Sequence, residues 1–259
     1  MSSVDTRPEQ NLHPEGMTPN QERLVELFLT TKTLGKVRRR YPAVDGGYRF
    51  ETITRELGVV DFAQDEFEFA IKQHDKEPEA PLSPFYLNIR NLSDEVLSQC
   101  SVVLREMEPF FEREGHLPHP DICAGVPNAG VPIADSYSKI SGIPMVEIFD
   151  KEEHADGTRK ILHKDSLGEG ASVRLIDDLA SQGLTKLESV KEAREMGYRI
   201  DSFFVLVDRM QGGIEELRKV VPNVKAAVTI KQILEYGLRT QKISREQYER
   251  AYDYLSKTN

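Results

Sequence analysis

The stretch Val173-Arg174-Leu175-Ile176-Asp177-Asp178-Leu179-Ala180-Ser181-Gln182-Gly183-Leu184-Thr185 decides the reading of this chain. An apolar run ends in two adjacent carboxylates, a small hydroxyl-bearing loop with one glycine follows, and a helical pattern then begins. The pattern predicts a strand over Val173–Asp177 and a helix over Leu184–Met196 that stops at Gly197. A loop that opens a helix presents unpaired backbone N–H groups, which attract an anion. Ser181 and Thr185 can add hydroxyl donors. Asp177 and Asp178 can accept hydrogen bonds from vicinal sugar hydroxyls and favour positive charge on a nearby ring. A pentose 5-phosphate therefore suits the segment better than a free phosphate. Read alone, the same residues are also an ordinary strand-to-helix turn with capping hydroxyls. The Gly-Lys-Ser/Thr ending of a nucleoside-triphosphate loop is absent.

Outward from this stretch the chain alternates. Strands are expected at Ile122–Val126, Pro144–Phe149, Phe203–Val207 and Val224–Val228. Helices are expected at Asp94–Glu114, Val131–Ser141 and Ile214–Val220, with a final helical stretch Ile230–Leu255 broken near Gly237. Alternation of this kind predicts an α/β fold with a parallel sheet covered on both faces. Ligands bind such sheets beyond the carboxyl ends of the strands. The loops after Val126, Phe149, Asp177 and Val207 should share that rim. Segment 151–164 is polar and charged with no period.

The N-terminal part is less regular. Residues 1–19 are polar and proline-containing and read as a tail. A helix is expected from Gln21 with Asn20 as its N-cap, and a second short helix over Glu51–Leu57 stopped by Gly58. Strands are expected at Glu68–Lys72 and Phe85–Arg90. The basic run Lys36-Val37-Arg38-Arg39-Arg40 reads as a solvated helix end. The organisation expected is a tail over 1–19, N-terminal helices and a hood over 20–92, and an α/β core over 93–259.

The 259 residues carry a formal net charge of −9 and are 39% hydrophobic, with two cysteines, Cys100 and Cys123. An acidic chain repels nucleic acid at long range, so no nucleic-acid partner is expected. No apolar run approaches the roughly 20 residues that span a bilayer, so no membrane partner is expected. Two cysteines make no disulfide framework, which suits a reducing, cytoplasmic compartment.

Five segments, in order, resemble the orotate branch of the type I phosphoribosyltransferase family. Phe69-Ala-Ile-Lys72 resembles its Phe-x-Leu-Lys strand, and Ser83-Pro-Phe-Tyr-Leu-Asn-Ile-Arg90 its Ser-Pro-x-Tyr segment. Gly125-Val-Pro-Asn-Ala-Gly-Val-Pro-Ile-Ala134 resembles its pyrophosphate loop. Val173–Thr185 resembles its phosphoribosyl-diphosphate motif, and Asp208-Arg209-Met-Gln-Gly-Gly213 its Asp-Arg-x-x-Gly-Gly segment. The match runs from about Glu68 to the C-terminus. Read singly, Lys72 is a solvated strand residue, Phe85 and Tyr86 are core packing, and Asp208-Arg209 is a surface ion pair. The joint order lifts them to site candidates.

The resemblance implies transfer of a phosphoribosyl group to orotate with release of pyrophosphate, a bound Mg2+ and a homodimer. It implies that Asp177 and Asp178 hold the ribose hydroxyls and that Ser181, Gly183 and Thr185 cradle the 5-phosphate. Gly125, Asn128 and Ala129 would hold pyrophosphate. Lys72 and Arg209 would contact orotate, with Phe85 and Tyr86 around the pyrimidine. The family's mobile loop reads Arg-Lys-x-x-Lys-x-x-Gly, whereas this chain has Asp150-Lys151-Glu-Glu-His154-Ala-Asp-Gly157. Lys151 and His154 are left to neutralise the leaving pyrophosphate, and Asp150 opposes them. The altered loop keeps open a ligand-sensing, non-catalytic member of the fold. A different base specificity is the remaining alternative.

Overall fold

The computed structural model describes residues 16–108, 119–153, 159–163, 170–181 and 184–258. The expectations for His154 and Gly183 lie outside them, and for Lys72, Lys151 and Thr185 the description extends to the backbone alone.

The core is a four-stranded parallel sheet built from β5 (Ile122–Gly125), β8 (Ser172–Ala180), β9 (Arg199–Asp208) and β10 (Asn223–Thr229), in the order β10-β9-β8-β5. Side chains alternate across it. Ile176, Phe204 and Leu206 pack into one apolar cluster, and Val173, Leu175, Phe203 and Val205 into a second. The first cluster is covered by α1 (Pro19–Thr30), α2 (Asp94–Glu106), α3 (Gly130–Ser141), α6 (Ile230–Arg239) and α7 (Arg245–Thr258). The second is covered by α4 (Leu184–Glu195) and α5 (Gly213–Arg218). Burial on both faces explains why Phe203–Val207 is a continuous apolar run. Among the described residues no helix is long and apolar enough to cross a membrane.

Polar side chains lock the layers together. Arg174 of β8 is fully buried, and its Nε donates to Ser202 Oγ at 2.9 Å. Its guanidinium lies 3.3 Å from the Glu108 carboxylate and 4.5 Å from the Phe204 ring centre. A buried cation is stable only when paired and hydrogen-bonded, so this knot fixes the end of α2 against the sheet.

Several expectations are corrected. The N-cap of α1 is Thr18, in a capping box with Gln21, while Asn20 donates to the Glu106 carboxylate. Glu51–Leu57 is no helix: it lies in β2 (Tyr48–Gly58), which pairs antiparallel with β1 (Lys32–Pro42) along its whole length. The basic run 36–40 is therefore strand. Thr52, Ile53 and Thr54 are β-branched, and cross-strand pairing outweighs the helix propensity of their neighbours. The hairpin turns at Ala43–Gly47, where Gly46 takes a φ of +84°.

Glu68–Lys72 makes only a single bridge, Arg39 to Glu68, and Lys72 opens a 3-10 turn, Lys72–Asp75. Phe85–Arg90 shortens to β4 (Phe85–Leu87), paired with β3 (Val60–Phe62). The helix expected over Asp94–Glu114 ends at Glu106, with 109–118 outside the described residues. Pro144–Phe149 gives one bridge beside Cys123, because the chain turns after Val146, whose carbonyl accepts the Ile148 N–H instead of continuing the ladder. The charged segment after it is a separate hairpin of β6 (Phe149–Glu153) and β7 (Arg159–His163). The C-terminal helical stretch breaks after Arg239, near Gly237 as expected.

Candidate active site

The strand ends place the expected groups unequally. Because successive side chains on β8 face opposite ways, Asp177 turns toward α4 and Asp178 toward the opposite side. Asp177 is 3% exposed, and its Oδ2 lies 2.7 Å from Lys186 Nζ on α4. Its Oδ1 accepts the Asp178 N–H at 2.8 Å. Burial pushes the Asp177 carboxyl up to about 7, against the opposing pull of the Lys186 ammonium. Asp178 instead lines an open cleft of about 690 Å³ together with Ser181, Phe85, Tyr86 and Arg209.

Arg209 leaves the end of β9, its N–H bonded to Ala180 O at 2.9 Å, which ties it to the strand end that carries Asp178. Its guanidinium lies 5.6 Å from the Phe85 ring centre and is hydrogen-bonded to Tyr254 of α7. Burial pulls its pKa below the ordinary arginine value, and Tyr254 opposes that pull. Arg209 Nε is buried without a hydrogen-bond partner among the described residues. Tyr254 also meets Phe85 edge-on at 6.1 Å, and Phe69 stacks on Tyr86 at 5.4 Å. Together they form an aromatic floor with the Arg209 guanidinium at the side of Phe85.

The expected pyrophosphate loop stands on the same rim, one strand over. Gly125 is paired with Ile176. A side chain on Gly130 would come within 2.2 Å of Ile176 O, and one on Gly125 within 2.4 Å of the Val131 backbone. Both positions need glycine for α3 to approach the sheet this closely. Ala129 is the N-cap of α3 with no side-chain cap, and Asn128 is exposed. Gly125, Asn128 and Ala129 do not line the cleft that holds Asp178. Among the described residues no group of three His, Cys, Asp or Glu side chains could hold a metal.

Sequence reading missed several cleft residues. Lys36 and Arg38 of β1 line it, as do His74, Arg90 and Tyr254. Arg90 closes the Ser-Pro-Phe-Tyr segment and was within reach of the motif. Lys36 and Arg38 were hidden by the mistaken helix, and nothing in the C-terminal pattern singles out Tyr254.

No family model matches the chain. It is 36% identical over 110 residues to an orotate phosphoribosyltransferase of Methanocaldococcus jannaschii, covering 42% of this chain and 61% of that one. The chain thus spans about three fifths of that relative. It is 28% identical over 176 residues to an orotate phosphoribosyltransferase of Sulfurisphaera tokodaii, covering 68% of this chain and 86% of the relative. Among solved structures, a Leishmania donovani UMP synthase superposes with a TM-score of 0.58 and 25% identity, over 77% of this chain and 40% of that one. The chain has the type I phosphoribosyltransferase fold and is related to the orotate phosphoribosyltransferases.

Proposed function

We propose that the chain transfers the 5-phosphoribosyl group of phosphoribosyl diphosphate to orotate, giving orotidine 5'-monophosphate and pyrophosphate. The observation that carries this reading is one cleft that holds a carboxylate, a hydroxyl and an arginine over an aromatic floor. In this reading the planar base lies on Phe85 and Tyr86. The Arg209 guanidinium, which lines the cleft, meets the orotate carboxylate. Asp178 faces the ribose. As the bond from C1 to pyrophosphate lengthens, the ring gains oxocarbenium character, and the Asp178 carboxylate stabilises it electrostatically. Ser181, with Gly183 and Thr185, takes the 5-phosphate at the start of α4. Gly125, Asn128 and Ala129 take the pyrophosphate at the N-terminus of α3.

Magnesium fits this donor set, because a hard cation that keeps its waters needs one or two carboxylates and phosphate oxygens rather than a protein cage. When bound, it would neutralise charge on the leaving pyrophosphate. We also assign the chain a second copy as partner, by resemblance, which light scattering of the purified chain would test.

The test of function is turnover with orotate and phosphoribosyl diphosphate, with and without magnesium. Formation of orotidine 5'-monophosphate is expected and should depend on the metal. Binding of phosphoribosyl diphosphate without turnover would instead support the ligand-sensing reading, which Asp150 and His154 favour.

The unequal placement of the two carboxylates yields a further expected result. Asp178→Asn should weaken magnesium-dependent binding of phosphoribosyl diphosphate by about tenfold or more, since a charged hydrogen-bond partner is lost. Asp177→Asn should weaken it less, because that carboxylate serves Lys186. Calorimetric titration would show this. Equal losses would place both carboxylates on the sugar.

A further inference from the structure

The hairpin of β1 and β2 carries seven lysines and arginines against three acidic residues, in a chain of net charge −9. On β1 the residues Lys36, Arg38 and Arg40 share one face. Two of them are engaged with the 3-10 turn and the segment that follows it. Arg38 is bound to the Asp75 carboxylate at 2.5 Å, and Arg40 donates to Ala80 O at 2.7 Å. The β1 backbone is docked on the segment just before that turn, through Arg40 N–H to Phe67 O at 2.8 Å and Ala70 N–H to Arg38 O at 2.9 Å. Val37 is buried against Leu57 and Phe69. The register of β1 is therefore fixed. The third cation of the row, Lys36, is exposed, lines the cleft and has no ion pair among the described residues.

β1 runs along Phe69–Ile71, through Ala70 N–H to Arg38 O and Val37 against Phe69, and Phe69 stacks on Tyr86, so Lys36 stands on the side of the cleft that the transferase reading gives to the base. Val37 and Arg38 line the cleft with Phe69, Ile71 and Tyr86, whereas Asp178 and Ser181 mark the sugar end at the sheet rim. A cation held at the base end serves an anionic group of the acceptor. We propose that β1 is a third wall of the acceptor site and that Lys36 is a binding residue for the acceptor's carboxylate, supplementing Arg209. This rests on the transferase reading and assigns a role to the hairpin of residues 32–58.

The test uses the full chain, Lys36→Met, which keeps the apolar stem, and Lys36→Arg. Each is titrated calorimetrically with orotate, with uracil and with phosphoribosyl diphosphate, and the parent is assayed for turnover. Orotate affinity should fall by about tenfold in Lys36→Met and return in Lys36→Arg, with uracil and phosphoribosyl diphosphate unchanged. Equal orotate affinity in parent and Lys36→Met overturns the inference, even in a parent that turns over. Loss of phosphoribosyl diphosphate affinity with orotate unchanged also overturns it, because the cation then serves the donor. Lys36-dependent binding of orotate in a parent without turnover upholds the inference and removes the transferase reading. A parent that neither binds nor converts orotate removes both.

Discussion

Arg209→Ala is expected to lower kcat/KM for orotate by the equivalent of about 2–5 kcal/mol, or roughly 30-fold to several thousand-fold. The size follows from where the guanidinium sits. It is partly buried beside the Phe85 ring, tied to Tyr254, and carries a buried Nε without a partner. A carboxylate arriving there would find a desolvated cation, whose hydrogen bonds are stronger than those of an exposed one. Uracil has no carboxylate, so its much weaker use as acceptor should change little. Arg209→Lys should recover part of the charge but not the two parallel hydrogen bonds. Steady-state kinetics with both bases would decide the matter. Equal losses for orotate and uracil would move Arg209 from base selection to support of the aromatic floor.

Lys186→Met should destabilise the fold increasingly above neutral pH, by up to about 1.4 kcal/mol per pH unit, because the ionising Asp177 carboxylate then lacks its buried partner. The pair is well shielded, with side-chain exposures of 15% for Lys186 and 5% for Asp177. The pH dependence has a definite sign. Burial already raises the Asp177 carboxyl, to about 7. A raised carboxyl pKa means that the native state binds its proton more tightly than the unfolded chain does. Stability from this group is thus full below the ordinary carboxylate pKa of about 4 and declines as pH rises toward the folded value. Removing the ammonium raises the folded pKa further and prolongs the decline. The gap between variant and parent should therefore stay constant below about pH 6 and widen as pH rises through about 7, where the parent carboxylate ionises and the variant's does not. Urea unfolding at several pH values would show it. A gap independent of pH would mean that Lys186 acts through packing and not through Asp177.

The central sheet was legible because its strands are buried on both faces and its helices end at glycines. Val173–Asp177 and Phe203–Val207 lie within strands, and Gly142, at a φ of +78°, closes α3. The division of labour between Asp177 and Asp178 was not spelled out in the motif, although the two-residue period of a strand contains it. The N-terminal region was misread for a different reason. Its hairpin has few fully buried residues, so local propensity had no strong apolar period to correct it. The Asp45-Gly46-Gly47 turn was the available signal, and it joins two runs whose cross-strand pairs, such as Val37 with Ile53, are far apart in sequence. The Tyr254 contact joins the last helix to the strand ends and depends wholly on tertiary packing.

The stems of that hairpin meet at the pair Lys32 and Gly58, directly after α1 and just before β3. Paired residues of an antiparallel ladder lie about 4.5–5.5 Å apart, little more than the 3.8 Å between consecutive Cα atoms. The chain thus leaves and rejoins its path at nearly one point, so the 32–58 unit is in effect a graft on the loop after α1. A graft of this kind can be lengthened, recharged or exchanged while the sheet that carries Asp178 stays as it is. The Lys36 wall proposed for the acceptor and the carboxylate at the sheet rim then reside in parts of the molecule that are free to evolve separately.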